Sequence, residues 1–413
     1  MNLHPDILVI GAGSAGLAAV FSAPQDSNHS FLLVEKLSVP GGKATSAYVG
    51  TVCGLFYSKP GKPEWSVNGW IRQFAEELQF NSKTEIQTHA AKLHFLPYQR
   101  QTFIDICNEK LRAVNVEVLY NTEVTNVKSE HELITEVQII TNGSVHVIYP
   151  KVVIDCTGTA FSAEKTGAQF IRDQYYQAAA QVFSISGVAS ADAETITLAL
   201  GRAVRAGVAN AHLREEISQV SVVKGMCVNG TVLLKLGIPL QSDHTDESQQ
   251  RINQFAKGAI NELVAYLKNQ GGIFSNITID FIAPEAGIRT GPRLQGQHTL
   301  TGEEVLSCQK FEDGIAKGTW PVEYWAPGKK VEMQYFADGD FYRIPAGSLR
   351  SNQFRNLFFA GRNISADETA IASVRVIGTC MQTGFAAAQL AVGYLRKETI
   401  QETIQTIQAE WTA

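Results

Sequence analysis

The chain has 413 residues, 45% of them hydrophobic and 18% charged, and carries a formal net charge of −5. That length exceeds one ordinary hydrophobic core, so two domains are expected. The mildly acidic balance, without a basic run, argues against nucleic acid and anionic membrane as partners. No uncharged apolar stretch reaches about 18 residues, which argues against a membrane span.

The first element is an apolar strand, Asp6 to Ile10, running into Gly11-Ala-Gly13-Ser14-Ala15-Gly16. A short helix follows, then a second apolar strand, Leu32-Leu33-Val34, ending at Glu35 and Lys36. This order suits a dinucleotide. Gly11 permits the tight turn, Gly13 lets backbone N–H groups approach a pyrophosphate, and Gly16 lets helix and strand pack closely. Glu35 stands about 20 residues further on, where an acid takes the adenosine ribose hydroxyls. A loop with Gly41, Gly42, Lys43, Ala44 and Thr45 comes next; its glycines allow close approach to a ligand. Residues 64–94 mix aromatic and charged positions and read as helical. Gln99 to Ala113 reads as an amphipathic helix. Val116 to Leu119 and three further apolar runs follow, the last two joined at Asn142-Gly143, a hairpin signal.

Val152-Val-Ile-Asp-Cys-Thr157-Gly158 has the continuous apolar run of a buried parallel strand. After about residue 175 the texture changes. Strands are expected at 178–188, 231–240 and 277–282 and a long helix at 247–267, the pattern of a separate α+β unit spanning 176–334. Leu357 to Gly361 is one more buried strand, and a small-residue helix runs from about Thr379 to Leu395. Three glycine-ended strands, at 7–11, 152–158 and 357–361, imply one sheet built from 1–175 and 335–413. A ligand belongs outside the carboxyl ends of such strands. The glycine motif alone does not separate NAD from FAD.

Six cysteines are scattered (Cys53, Cys107, Cys156, Cys227, Cys308 and Cys380) and none forms a CxxC pair. They read as reduced thiols, with no dithiol and no metal site expected. The sequence opens without a basic n-region or cleavage site, so the cytoplasm is the expected location.

The opening GAGSAG, Glu35-Lys36, the Gly41–Thr45 loop, the Ile154–Gly158 strand and two further blocks together resemble the bacterial FAD dependent oxidoreductases. The blocks are Asn356–Ser365 with Ser373–Gly384, and Gly287-Ile-Arg289-Thr-Gly-Pro-Arg293 through Gly296, His298 and Thr301. The resemblance covers most of the chain. It implies an α/β fold: a Rossmann-like FAD-binding domain of glutathione reductase type, with a β-meander, plus an inserted α+β substrate domain. It implies FAD as cofactor, held by Gly11, Gly13, Ser14, Ala15, Gly16, Glu35, Lys36, Gly42, Lys43, Ala44, Thr45, Val124, Thr157, Gly158, Gly361, Arg362, Gly378 and Thr379. Val124 would offer backbone bonds to the adenine, or be a plain core valine.

Accepting a hydride places negative charge on the flavin N1–C2=O edge, which a helix N-terminus or an arginine stabilises. The helix opening at Gly378 and the upstream Arg375 are expected there; the other reading of Arg375 is a surface or inter-domain salt bridge. His298, with Arg289 or Arg293, is the expected acid–base and substrate-binding set, against the reading of His298 as simply packed or exposed. Pro292-Arg293 and His298 depart from the family's usual Arg-Arg and Tyr. Tyr324, Trp325, Tyr335 and Tyr342 are candidates to wall the substrate pocket. The expected function is hydride transfer between flavin and a small polar organic molecule, with O2, a quinone or a redox protein as electron partner. The alternatives are a flavin monooxygenase and a non-catalytic FAD-binding protein. Gly361-Arg362 replaces the Gly-Asp of aromatic hydroxylases, and no second strand-linked GxGxxG suggests an NADPH domain. Substrate, direction and oligomeric state are left open.

Overall fold

The computed structural model describes residues 3–22, 29–114, 116–173, 176–190, 192–328 and 330–411. At its centre is a five-stranded parallel sheet in the order Leu357–Phe359, Val152–Asp155, Ile7–Ile10, Phe31–Val34, Val116–Leu119. Alternation along these strands divides their side chains between two cores, as the pleat requires. Leu8, Ile10, Leu32, Val34, Val153 and Phe359 pack beneath the meander. Ile7, Val9, Leu33, Ile154 and Phe358 face the main core.

The meander consists of Thr122–Glu130, Leu133–Thr141 and Ser144–Ile148, all antiparallel. Its second turn is the expected hairpin: Asn142 and Gly143 both have positive φ, 49° and 75°, between the paired Thr141 and Ser144. On the main-core side the helix Ser14–Phe21 packs against Ile377–Arg396, the long small-residue helix near the end of the chain. The fit is backbone to backbone: a Cβ on Gly384 would lie 2.0 Å from the Ala15 carbonyl oxygen.

A second sheet is antiparallel, ordered Val220–Val228, Thr231–Ile238, Ala179–Ser186, Thr278–Ile282. Phe183, Leu234 and Leu236 face a separate core with Ile252, Ile260 and Leu263 of the helix Asp246–Gln270. The opposite face, with Val182, Val223 and Leu233, packs into the main core.

Three local expectations are revised. Residues 64–94 hold one helix, Gly69–Ser82, but Gln87–His89 and Leu93–Pro97 form a hairpin turning through the positive-φ Ala90 and Ala91. The five residues Leu93–Pro97 are all buried, which a surface helix would not allow. The helix Ala193–Ala209 and the strand Val220–Val228 add to the elements expected of the second unit. That helix starts where the Asp192 carboxylate accepts from the Thr195 N–H at 2.8 Å. Its stripe, Ile196, Leu200, Val204, is buried at i, i+4, i+8. Finally, Val305, Ile315, Ala316 and Val322, inside the expected 176–334 unit, are buried with the main core. Gly314–Gly318 pairs with Tyr342–Pro345 across the expected boundary.

Candidate active site

The carboxyl ends of the parallel strands gather most of the expected cofactor residues. Gly11 turns the chain at φ +97°, and a Cβ on Gly16 would lie 1.8 Å from the Gly11 carbonyl oxygen. Gly13, by contrast, opens on free space. Ser14 and Ala15 begin the helix over that space. The Gly41–Gly42 loop crosses the turn: Gly41 donates its N–H to the Ala12 carbonyl at 2.8 Å and bridges Gly13. The loop then enters a single helical turn, Lys43–Ser46. That turn is pinned from outside. The Tyr98 hydroxyl donates to the Ala44 carbonyl at 2.7 Å and Arg100 Nε to the Thr45 carbonyl at 2.6 Å. Thr45 is buried, its hydroxyl on the Pro40 carbonyl at 2.7 Å.

Glu35 is buried and accepts from the Ala12 N–H at 2.6 Å and the Leu37 N–H at 2.8 Å. Its neighbour Lys36 is exposed and pairs with Glu123 at 3.4 Å. Val124 packs its side chain under the sheet, and the strand shifts register just after it. At the next strand end Asp155 organises two segments. It accepts from the Thr157 N–H and hydroxyl at 3.0 and 2.7 Å, from Ser162, and from Asn363 Nδ2 at 2.6 Å. Asn363 in turn accepts from the Ala160 N–H at 3.0 Å. Gly158 and Gly361 are thereby held on adjacent strand ends. A Cβ on Gly158 would meet the Arg362 guanidinium, and one on Gly361 would lie 2.9 Å from Ala15 Cβ.

A first charged group ties this cradle to the second unit. Lys43 pairs with Glu285 at 2.7 Å, Ser46 also bonds Glu285, and Arg362 donates to the Ile288 carbonyl at 2.7 Å. Burial lowers the Lys43 and Arg362 basicities. Burial would raise the Glu285 carboxyl, but Lys43, Ser46 and Arg362 outweigh it and hold it below the usual range. His244 completes the group. Burial and the charge of Arg362 push it down to about 4, so it is neutral at neutral pH, and its Nε2 is sealed without a partner.

A second charged group lies at the start of the helix Ile377–Arg396. The Gly378 N–H is taken by the Cys53 carbonyl at 2.9 Å, whereas the buried Thr379 hydroxyl has no partner. Arg375, just upstream, donates to the Glu323 carbonyl at 2.8 Å and to Gln177 Oε1 at 3.1 Å, leaving its Nε sealed and unpaired. Gln177 also accepts from the Trp325 N–H at 3.2 Å, and its own Nε2 is orphaned. The Trp325 ring carries two cations: Arg289 Cζ 4.4 Å and Lys235 Nζ 5.0 Å from its centroid. Burial lowers the basicity of Arg375, of Arg289 and of Lys235. Burial would raise the Glu323 carboxyl, but Arg375, the Trp320 indole N–H, Lys235 and Arg289 outweigh it. Burial, with Glu323, pushes the Cys53 thiol up to about 12, and burial pushes Cys380 to about 12, so neither is a thiolate at neutral pH.

Of the four expected catalytic residues, Arg375 and Arg289 meet in this group. The other two go elsewhere. Arg293 is fully buried in a two-pronged ion pair with Asp173, and also donates to the Ala366 carbonyl at 2.7 Å and the Gly291 carbonyl at 2.9 Å. His298 bonds Glu304 at 3.1 Å, the residue that closes the capping box of Gly302–Leu306, and sits edge-on to Phe311. Tyr342 is core, bonded to Ser373 at 2.7 Å, and Tyr324 bonds Glu368 at 2.8 Å. Sequence reasoning missed Lys235, Glu323, Gln177, Glu285 and His244 altogether.

With this geometry in place, the comparisons define the class. The chain matches the FAD dependent oxidoreductase family over residues 6–410, and it belongs to that family. It is therefore an FAD-dependent enzyme. No curated protein sequence matches it. Among solved structures it is similar to a geranylgeranyl bacteriochlorophyll reductase-like protein from Thermoplasma acidophilum, with TM-score 0.50 and 14% identity over 99% of this chain and 83% of that one. It is also similar to the anhydrotetracycline hydroxylase OxyS from Streptomyces rimosus, at TM-score 0.50 and 11% identity, covering 99% and 66% of the two chains. The aromatic hydroxylase CabE gives TM-score 0.50 and 10% identity over 98% and 65%. At these identities the likeness is one of fold: a mixed α/β architecture shared by flavin-dependent enzymes. The residues present fit the cofactor. There is room at Gly13, a buried acid, Glu35, at the end of the second strand, and polar atoms of Arg375 and Thr379 that are sealed without a partner. Among the described residues no helix is long and apolar enough to cross a membrane.

Proposed function

We propose that this enzyme transfers a hydride between FAD and a small polar organic substrate bound where the second unit meets the start of the helix Ile377–Arg396. The observation that supports this reading most directly is the orphaned pair at that helix start, the Arg375 Nε and the Thr379 hydroxyl. Buried donors without acceptors are costly, so a ligand acceptor is the economical explanation. FAD, when bound, supplies a two-electron acceptor whose pyrimidine edge becomes negative on reduction.

The chain's own groups then divide the work. Gly13, Ser14 and Ala15 present backbone N–H groups to the pyrophosphate, while Gly11, whose own N–H is held by the Val34 carbonyl, supplies the turn and Gly16 the close packing; Glu35 offers its remaining lone pairs to the ribose. Gly42, Lys43, Ala44 and Thr45 line the path toward the ring, with Thr157, Gly158, Gly361 and Arg362 across from them. Val124 contributes backbone only, beside its register shift, and Lys36 stays at the surface. Arg375 and Thr379 take the pyrimidine edge; Gly378 contributes closeness rather than an N–H, since Cys53 holds that proton. Glu323 keeps Arg375 oriented through its carbonyl. We assign Arg293 and His298 to bracing: the first ties residues 173, 291 and 366 together, the second steadies a helix cap. The unit we assign to substrate has its own core between residues 179 and 288, narrower than 176–334.

Anaerobic photometry of the yellow protein against a metabolite panel tests the reading. Bleaching near about 450 nm identifies a reductive substrate. Oxidation of NADPH that depends on an aromatic compound and O2 would replace it with a monooxygenase. Bound flavin that neither a substrate nor dithionite can cycle would replace it with a non-catalytic binding protein.

A further inference from the structure

Lys235 lies on the strand Thr231–Ile238 two residues after Leu233, so the two share the face turned to the main core, while Leu234 and Leu236 face the second core. An ammonium is thus carried into the junction between the units, half-buried above Trp325. Arg289 reaches the same ring from the loop after Ile288, and Arg375 reaches Gln177, whose backbone neighbour Ala178 accepts from Arg289. Among the described residues three cations, Lys235, Arg289 and Arg375, are opposed by a single carboxylate, Glu323. Among the described residues no hydrogen bond to the Lys235 ammonium is found. Uncompensated positive charge in a partly desolvated junction is costly to a fold unless an anion shares the space. The flavin edge can match only one of these charges, and Arg375 is the one beside Thr379.

We infer that Lys235 and Arg289 form a carboxylate subsite, with Trp325 as its wall, and that the substrate is a small organic acid. This inference rests on the flavin reading above. A planar carboxylate suits the Arg289 fork and a point-like ammonium together. Once Glu323 and the reduced flavin edge are counted, one cationic charge remains, which matches one carboxylate better than a dianionic phosphate.

The test uses the FAD-loaded enzyme and simple probes. Acetate and benzoate, titrated against acetamide, benzamide and inorganic phosphate, are followed by the visible spectrum of the bound flavin. The expected result is a saturable perturbation by the carboxylates alone. Lys235→Met should weaken it by about tenfold or more, the loss of one charge-assisted hydrogen bond, with flavin content unchanged. Lys235→Arg should restore most of it. Should Lys235→Met fail to fold, Trp325→Leu in the same titration serves instead, and an unchanged carboxylate affinity there counts against the subsite. Amides as effective as acids, tighter binding of phosphate, or a yellow enzyme indifferent to all five probes would each overturn the carboxylate assignment while leaving the flavin reading intact. A colourless protein that rejects FAD would overturn both.

Discussion

Arg375 is where the proposed chemistry is most exposed to test. With its guanidinium removed, the charge arriving on the flavin edge loses its nearest fixed counter-charge. Arg375→Ala should lower the flavin reduction potential and reduce turnover by about a hundredfold, the range seen for a lost preorganised donor; spectroelectrochemistry and stopped-flow reduction read both. Lys235 adds a pH signature. Burial and Arg289 lower its pKa from the ordinary lysine value, Arg375 adds to that, and Glu323 and Cys53 offset part of it. Binding of an acid needs the ammonium. Affinity should therefore fall as pH rises, with the midpoint below the lysine value of about 10.4. The profile of kcat/KM against pH should lose this limb in Lys235→Met. Arg293 should behave differently. Arg293→Met leaves Asp173 buried and unpaired and should destabilise the protein by about 3–5 kcal/mol, with Asp173→Leu added to it recovering much of the loss; thermal unfolding measures both.

At the scale of elements, the glycines separate fold from cofactor. A Cβ at Gly384 would strike the Ala15 carbonyl, so Gly384→Ala should disturb helix packing and lower the melting temperature even without FAD. A Cβ at Gly13 meets nothing, so Gly13→Ala should leave the FAD-free melting temperature unchanged and weaken FAD binding, measured by equilibrium dialysis. This is also why the nucleotide motif was legible in sequence: it is written in backbone approach, and glycine spacing encodes backbone approach directly. The meander was legible for a similar reason, since Asn142-Gly143 forces its own turn. Lys235 was not. A lysine alternating with leucines reads as the wet face of a sheet. Only the packing of Leu233 and Val182 against another domain makes that face an interior one. Glu323 was hidden in a strand of three residues, Val322–Tyr324, too short for periodicity to show. Arg293 and His298 were chosen from a resembling segment; the structure pairs them with Asp173 and Glu304, and a distant partner such as Asp173 has no signature in the local sequence.

For the molecule as a whole, FAD held at the proposed site would join segments that no single stretch of chain connects, so it should act as a structural member. Loading at about a thousandfold over its dissociation constant stabilises the native state by about 4 kcal/mol. Differential scanning fluorimetry with and without added FAD should show a rise of several degrees, and dilution of the cofactor should reverse it. The Lys43–Glu285 pair extends that influence into the second unit, since it links the loop beside the cradle to residues that follow the strand Thr278–Ile282.

The seating of Ala15 against Gly384 has a consequence for biosynthesis. The glycine turn is translated well before the surface that buries its helix, which lies far downstream on Ile377–Arg396. At about 5–20 residues per second, the ribosome needs roughly twenty to seventy seconds to deliver it. During that interval the apolar back of the Ser14–Phe21 helix has no lasting cover, and a nascent chain in this condition is a natural client for holding chaperones.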